Sequence, residues 1–142
     1  MSKKVLIAFG VLAALALLIQ LVPYGRNHTN PPVVAEPSWD GAETKALYDR
    51  ACADCHSHQT VWPWYSNIAP VSWLVQHDVE EGREHLNTSE WGTKRIETHE
   101  VGEVIREGEM PMRVFLITHP EARLTQAEKD AHAQGLIATF SQ

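Results

Sequence analysis

The chain has 142 residues, of which 44% are hydrophobic and 21% charged, and a formal net charge of −6. This size bounds it to one small domain plus flanking segments, and the composition excludes a disordered chain. No long basic run exists, which argues against nucleic acid as a partner.

Lys3 and Lys4 precede an apolar run from Val5 to Val22, broken only by Gly10 and Gln20. A helix rises about 1.5 Å per residue, so the run nearly crosses the hydrocarbon core of a bilayer. No polar face interrupts it at helical spacing, unlike the helix of a soluble core. A cleaved signal has a shorter apolar stretch and a small-residue cleavage site, whereas this run ends in LIQLVPYGRN. Residues 1–22 are therefore expected to be an uncleaved signal anchor forming a transmembrane helix. The lysines would stay inside and the rest of the chain outside the cytoplasm; Arg26 is a single contrary charge.

Residues 23–38, PYGRNHTNPPVVAEPS, hold four of the eight prolines and little periodicity. Proline removes donors and favours extended backbone, so a stiff tether is expected. Asn27-His28-Thr29 and Asn87-Thr88-Ser89 match the glycosylation acceptor pattern, which is common by chance and carries no weight.

The folded domain is expected over residues 39–142. A first helix reads from SWDGAETKALYDRACADCHS, capped by Ser38 or Asp40, with Ala46, Leu47 and Ala51 on its inner face. VSWLVQHDVEEGREHL reads as a second helix, with Trp73, Leu74, Val75, Val79 and Leu86. Ile96, Val101, Val104 and Ile105 lie at nearly helical spacing in a third, which Gly108 should stop. Thr125 and Glu128 form a capping-box pattern at the start of a fourth, whose apolar residues are Leu136, Ile137 and Phe140. No run alternates with period two, so the domain is expected to be all-α, with long loops around QTVWPWYSNIAP and MPMRVFLITHPEA. Ordered loops of that length in a small domain need something to pack against, and a flat apolar cofactor would serve.

Both cysteines of the chain fall in RACADCHSHQT, as Cys52 and Cys55, with His56 next. Cys-x-x-Cys-His is the attachment pattern of c-type haem. Residues three apart on a helical turn face the same side, so both thiols reach the vinyl groups on one porphyrin edge, and the following imidazole binds iron. A thioredoxin-like redox pair belongs at a helix N-terminus after a strand, and no parallel-sheet pattern surrounds this one. A zinc site needs two more ligands, and His58, His77 and His85 form no paired motif. A structural disulfide would close a tiny loop and leave His56 unexplained.

Around the motif, four blocks carry a resemblance: NPPV in the tether, CHS…WPWYS.IAP, GR..LN.S.W, and GEMP followed by HPEARLT. In these the chain resembles the haem-binding domain family of small, cytochrome c-like proteins, over nearly everything after the apolar run. The resemblance implies a cytochrome c-like helical domain, one covalent haem c and electron transfer, with no single well-defined reaction.

The sixth iron position separates an electron carrier from a ligand-binding haem. Apart from Met1, only Met110 and Met112 offer thioether sulfur, both in EGEMPMR, and thioether ligation raises the potential. Met110 is expected to be the ligand: Pro111 restricts its backbone, while Met112 leads into the apolar VFLI run. His77, His99 and His119 are the alternatives, and His58 lies too near His56 to reach the opposite face easily. Trp62, Trp64 and Tyr65 are expected to wall the cofactor and exclude water, with Tyr65 or Trp64 as a donor to a propionate. Arg83 and Arg113 are further propionate candidates, although solvated surface is their commoner role.

The sequence thus reads as a monohaem c-type cytochrome without enzymatic activity, anchored by a single pass in the bacterial inner membrane, with its haem domain in the periplasm or extracytoplasmic space. Its expected partners are redox proteins in or at the membrane. The runner-up is a haem-based sensor or small-gas binder with the same His56 ligation.

Overall fold

The computed structural model describes residues 2–94 and 96–142. It is all-α: helix accounts for 60% of the chain, and no strand occurs among the described residues. The helices are α1 (Lys3–Leu18), α2 (Ala42–Ala51), α3 (Ala53–His56), α4 (Val71–His85), α5 (Thr98–Glu107), α6 (Phe115–Thr118) and α7 (Gln126–Phe140). A 3-10 turn over Ile19–Leu21 extends α1. Together they form a helix long and apolar enough to cross a membrane, with none of its length buried in the protein.

The core is built from α2, α5 and α7. Tyr48, Ile105, Ala133, Leu136 and Phe140 are buried there, with Ala53 of α3. Trp91 and Trp39 pack on Phe140 from outside. Local sequence sets the helix ends. Thr125 and Glu128 make the expected capping box, each satisfying the other's free backbone N–H at the start of α7. Gly108 ends α5 in the left-handed region at φ 78°, where glycine has no Cβ to clash.

The first domain helix departs from expectation. It begins after Gly41 rather than Ser38 or Asp40; the Asp40 carboxylate instead accepts from the Thr44 hydroxyl at 3.4 Å, and its N–H donates to the Thr139 hydroxyl of α7. Its inner face is Thr44, Leu47, Tyr48 and Ala51, and Ala46 is exposed. The helix also breaks at Cys52, whose φ of −130° separates α2 from α3. The two long loops contain short turns of their own, a 3-10 turn over Trp64–Asn67, helix α6 and a 3-10 turn over Pro120–Ala122.

Residues 23–38 are extended, as their prolines dictate, but they lie along the domain. Gly25 abuts α4, where a Cβ would fall 2.3 Å from the Ser72 carbonyl oxygen. His28 stacks on Trp62 at 4.6 Å, Asn30 donates to the Thr60 carbonyl, and the Val34 and Ala35 amides donate to the Ser89 carbonyl. The segment is a strap rather than a free spacer.

Candidate functional site

Cys52, Cys55 and His56 share one turn. The Cys55 and His56 amides both donate to the Cys52 carbonyl, at 3.2 and 3.0 Å. Helix α4 packs against this turn, and Gly82 permits the approach, since a Cβ there would sit 2.6 Å from the Cys55 carbonyl oxygen. That closeness brings one carbonyl of α4 and that of its C-cap residue onto the imidazole. His56 Nδ1 lies 2.8 Å from the Gly82 oxygen and 3.1 Å from the Leu86 oxygen. Carbonyls only accept, so Nδ1 carries the proton and Nε2 the lone pair. Nε2 has no hydrogen-bond partner among the described residues. Burial lowers the pKa of His56, against the opposing effect of these two bonds, which keeps the ring neutral near pH 7.

The His56 carbonyl is held as firmly as its ring. It accepts from the Tyr48 hydroxyl at 2.8 Å and from the Thr88 amide at 2.9 Å. His58 is locked beside it: Nδ1 to the Pro32 carbonyl, Nε2 to the Asn87 side-chain amide, and its own N–H to Ser89 Oγ. Arg83 donates Nε–H to the Ser57 carbonyl and Nη2–H to Thr60 and Asn30. One turn of chain is thus fixed from α2, α4, the 87–89 loop and the strap.

Both thiols are free. Burial, then the neighbouring Cys55 and Asp49, push Cys52 up to about 12; burial, then Asp54 and Asp78, push Cys55 up to about 12. A redox-active pair needs a depressed thiol pKa, so this environment does not suit thioredoxin-like exchange. No group of three or more His, Cys, Asp or Glu side chains is placed to hold a metal ion among the described residues.

Apolar surface flanks the turn on both sides. Cys52, Leu86, Ile96, Val101, Val104 and Met110 are half-buried and pack on the core cluster. Beside Cys55 opens a cavity of about 130 Å³, walled by α4, α6 and the 60–65 loop, with Leu74, Val79, Tyr65, Phe115 and His119 in its lining.

The haem-binding domain family matches residues 14–137, nearly the whole chain, in agreement with the resemblance carried by its sequence blocks. The chain belongs to the haem-binding domain family. No curated protein and no solved structure matches it.

The residues present fit haem. The imidazole of this haem-binding domain presents an unpartnered Nε2 lone pair, fixed in direction by its Nδ1 bonds, as haem iron requires of an axial histidine. The cavity alone is smaller than the roughly 300–1,000 Å³ typical of ligand pockets, so a porphyrin also needs the half-buried apolar surface beside Cys52.

The other predicted residues of the haem-binding domain are spread more widely. Tyr65 lines the cavity and donates to Thr118 Oγ1 at 2.8 Å. Trp62 lies outside the cavity lining, stacked on His28 with its N–H directed to Asn30. Trp64 also lies outside it and is 76% exposed. A hydrophobic side chain in a 3-10 turn need not point inward, and here the buried member of that turn is Ser66. Met110 follows the Gly108 cap, its N–H bonded to the Val104 carbonyl, and packs on the same buried cluster as Cys52. Met112 does neither. His77 and His99 are exposed and face Glu81 and Glu103. His119 lines the cavity, with Nδ1 3.1 Å from the Phe115 carbonyl oxygen and Nε2 without a hydrogen-bond partner among the described residues.

Sequence reasoning missed three contributors. Tyr48 was left out of the inner face expected for the first helix, and its hydroxyl's role needed the fold. The Asn87-Thr88-Ser89 triplet carried a signal in the LN.S.W block, but its role as the loop that clamps His56 and His58 needed the fold. His132 is fully buried on α7, its Nε2 3.5 Å from Cys52 Sγ and its Nδ1 without a partner. Burial lowers its pKa to about 4, so it is neutral. Nothing in the local sequence places α7 against the cysteines.

Proposed function

We propose that this haem-binding chain is a membrane-anchored, monohaem c-type cytochrome that carries electrons on the periplasmic side of the bacterial inner membrane. The observation that carries this reading is the His56 ring, pinned by two carbonyls with its Nε2 lone pair free, directly after two free thiols on one turn. When bound, haem supplies a one-electron iron couple. The chain's part is to hold the ligand, bury the ring and fix the local field. Cys52 and Cys55 would hold the haem through thioethers, His56 would be the proximal ligand and Met110 the distal one. The rigid clamp on α3 suits a carrier, because little protein rearrangement accompanies a change of charge. Redox proteins in or at the membrane are the expected partners, with no substrate turned over by the chain itself.

An absorption spectrum in both oxidation states tests the reading, with acid-acetone extraction. The expected result is a low-spin spectrum from haem that stays on the polypeptide. Free haem in the extract would overturn covalent attachment. Haem protein left in the pellet after alkaline carbonate washing supports the anchor, and a soluble form beginning near Pro23 would overturn it.

Met110→Ala is expected to lower the reduction potential, admit carbon monoxide and abolish the thioether-to-ferric charge-transfer band, while Met112→Ala leaves the band in place. His119, with its unpartnered Nε2 in the cavity lining, is the alternative ligand. If His119→Ala changes the spectrum and Met110→Ala does not, the assignment moves. The same cavity favours one second reading, a sensor of small gases. Carbon monoxide binding to the unaltered ferrous protein separates the two: ready binding supports the sensor and resistance the carrier.

A further inference from the structure

An exposed apolar patch surrounds the mouth of the cavity beside Cys55. Val61, Val71, Leu74 and Val114 belong to the cavity lining, with Asp54 and Asp78, and a haem seated there would cover them. Outside the lining, Trp64, Ile117 and Ile68 are 76%, 74% and 47% exposed, and Trp64 and Ile117 flank the Tyr65–Thr118 hydrogen bond that joins the two sides of this rim. Exposed apolar surface of this kind marks an interaction site.

The end of α1 is fixed to this patch. Gln20 makes a two-bond pair with the backbone of Ala69: its Nε2 donates to the Ala69 carbonyl at 2.9 Å, and its Oε1 accepts from the Ala69 amide at 3.0 Å. Ala69 lies between exposed Ile68 and Val71, on the edge of the patch. Four residues beyond Leu21, where the 3-10 turn ends, the chain turns at Gly25, against the Ser72 backbone of α4. Tyr24 donates to Glu80 of α4 at 2.7 Å, and Arg26 donates to the Gln20 carbonyl. The only polar residue of the apolar run is therefore used to dock the helix end on the domain, and the apolar surface of α1 continues into the rim of the cavity. Two exposed apolar surfaces joined by a short, hydrogen-bonded connection cannot face different solvents freely.

We propose that this rim rests on the bilayer interface, with the mouth of the cavity facing lipid headgroups and upper acyl chains, and that Trp64 is an interfacial anchor. The amphipathic indole suits that level of a membrane, and a patch of this kind lies in the headgroup–acyl boundary without spanning it. The proposal rests on α1 spanning the membrane, and the orientation follows from the Gln20–Ala69 clamp rather than from a flexible linker.

The test uses the full-length, haem-loaded protein in phospholipid nanodiscs, with the photocrosslinking residue p-benzoylphenylalanine replacing one residue at a time. Ile117 and Ile68 are exposed sites outside the cavity lining, Leu12 reports on α1, and exposed Ala46 on α2 is the control. The expected result is phospholipid adducts, read by mass spectrometry, at positions 117, 68 and 12, each at least tenfold above position 46. Adducts at position 12 without adducts at 117 and 68 would overturn the docked rim and leave the anchor standing. Absence of lipid adducts at all three would overturn the anchor and the rim together. If in native membranes positions 117 and 68 crosslink to a protein instead of lipid, the surface is a protein-docking face and the proposal fails.

Discussion

The two halves of the domain are held together differently. The α2–α5–α7 half is a side-chain core, with Tyr48, Ile105, Ala133, Leu136 and Phe140 packed in mutual contact. The α3–α4 half has few such contacts. It is fixed by hydrogen bonds to backbone carbonyls around His56 and His58, and apart from Ala53 most of its apolar side chains face a cavity or solvent. The first half needs only burial, which is non-directional and tolerates small shifts. The second must aim one imidazole, and hydrogen bonds are directional. A small domain that gives part of its interior to a cofactor cannot hold that region by packing alone.

Leu136→Ala sharpens this contrast most. Leu136 is 1% exposed, and truncation of a buried leucine costs about 2–5 kcal/mol. Denaturant unfolding should show that loss while the haem absorption maxima stay in place, because the clamp on His56 is untouched.

His132 joins the halves and gives the domain a pH response. Its pKa is depressed from 6.5 to about 4 in the folded chain, so the unfolded chain takes up the proton first. Its contribution is complete above about pH 6.5 and is lost as pH falls through about 4, a loss on the order of 3 kcal/mol. Unfolding free energies measured from pH 7 to 4 should show this slope in the native protein. A His132→Gln variant should lack it, and an identical slope in both would refute the assignment.

Gly82→Ala attacks the other half. The added Cβ meets the Cys55 backbone, not a movable side chain, so α3 and α4 must separate. Overpacking costs about 1–3 kcal/mol, and the Nδ1 bonds of His56 should lengthen with it. The expected signature is a larger loss of haem content and a more perturbed spectrum than in Leu136→Ala, at equal or smaller loss of stability.

Tyr48→Phe is the mildest. It removes the hydroxyl that donates to the His56 carbonyl, which keeps its bond from the Thr88 amide. About 1 kcal/mol of stability should go, with haem retained.

Much of the fold was legible because its signals are local. The capping box of Thr125 and Glu128 and the stop at Gly108 depend on residues within one turn, and the structure reproduces both. The Ser38 or Asp40 cap does not form: α2 starts after Gly41, the Asp40 carboxylate faces the Thr44 hydroxyl, and the Asp40 amide is tied to Thr139, ninety-nine positions away. Trp64 was expected to wall the cofactor from its place in the WPWYS block, and which way a 3-10 turn faces is not written in that block; here its side chain is 76% exposed.

What the sequence determined by itself is chemistry carried by adjacent residues: the apolar run of α1, the helix ends, and two thiols and an imidazole on one turn. Only the tertiary structure decided how those groups are used. The tautomer of His56 follows from carbonyls 26 and 30 positions away, and the contact of His132 with Cys52 spans 80. The docking of α1 follows from a glutamine paired with backbone 49 positions away. Helical pattern and motif spacing describe what a side chain is and which local face it shares. The direction of a lone pair, or of a membrane-facing rim, is set by partners that arrive from elsewhere in the chain.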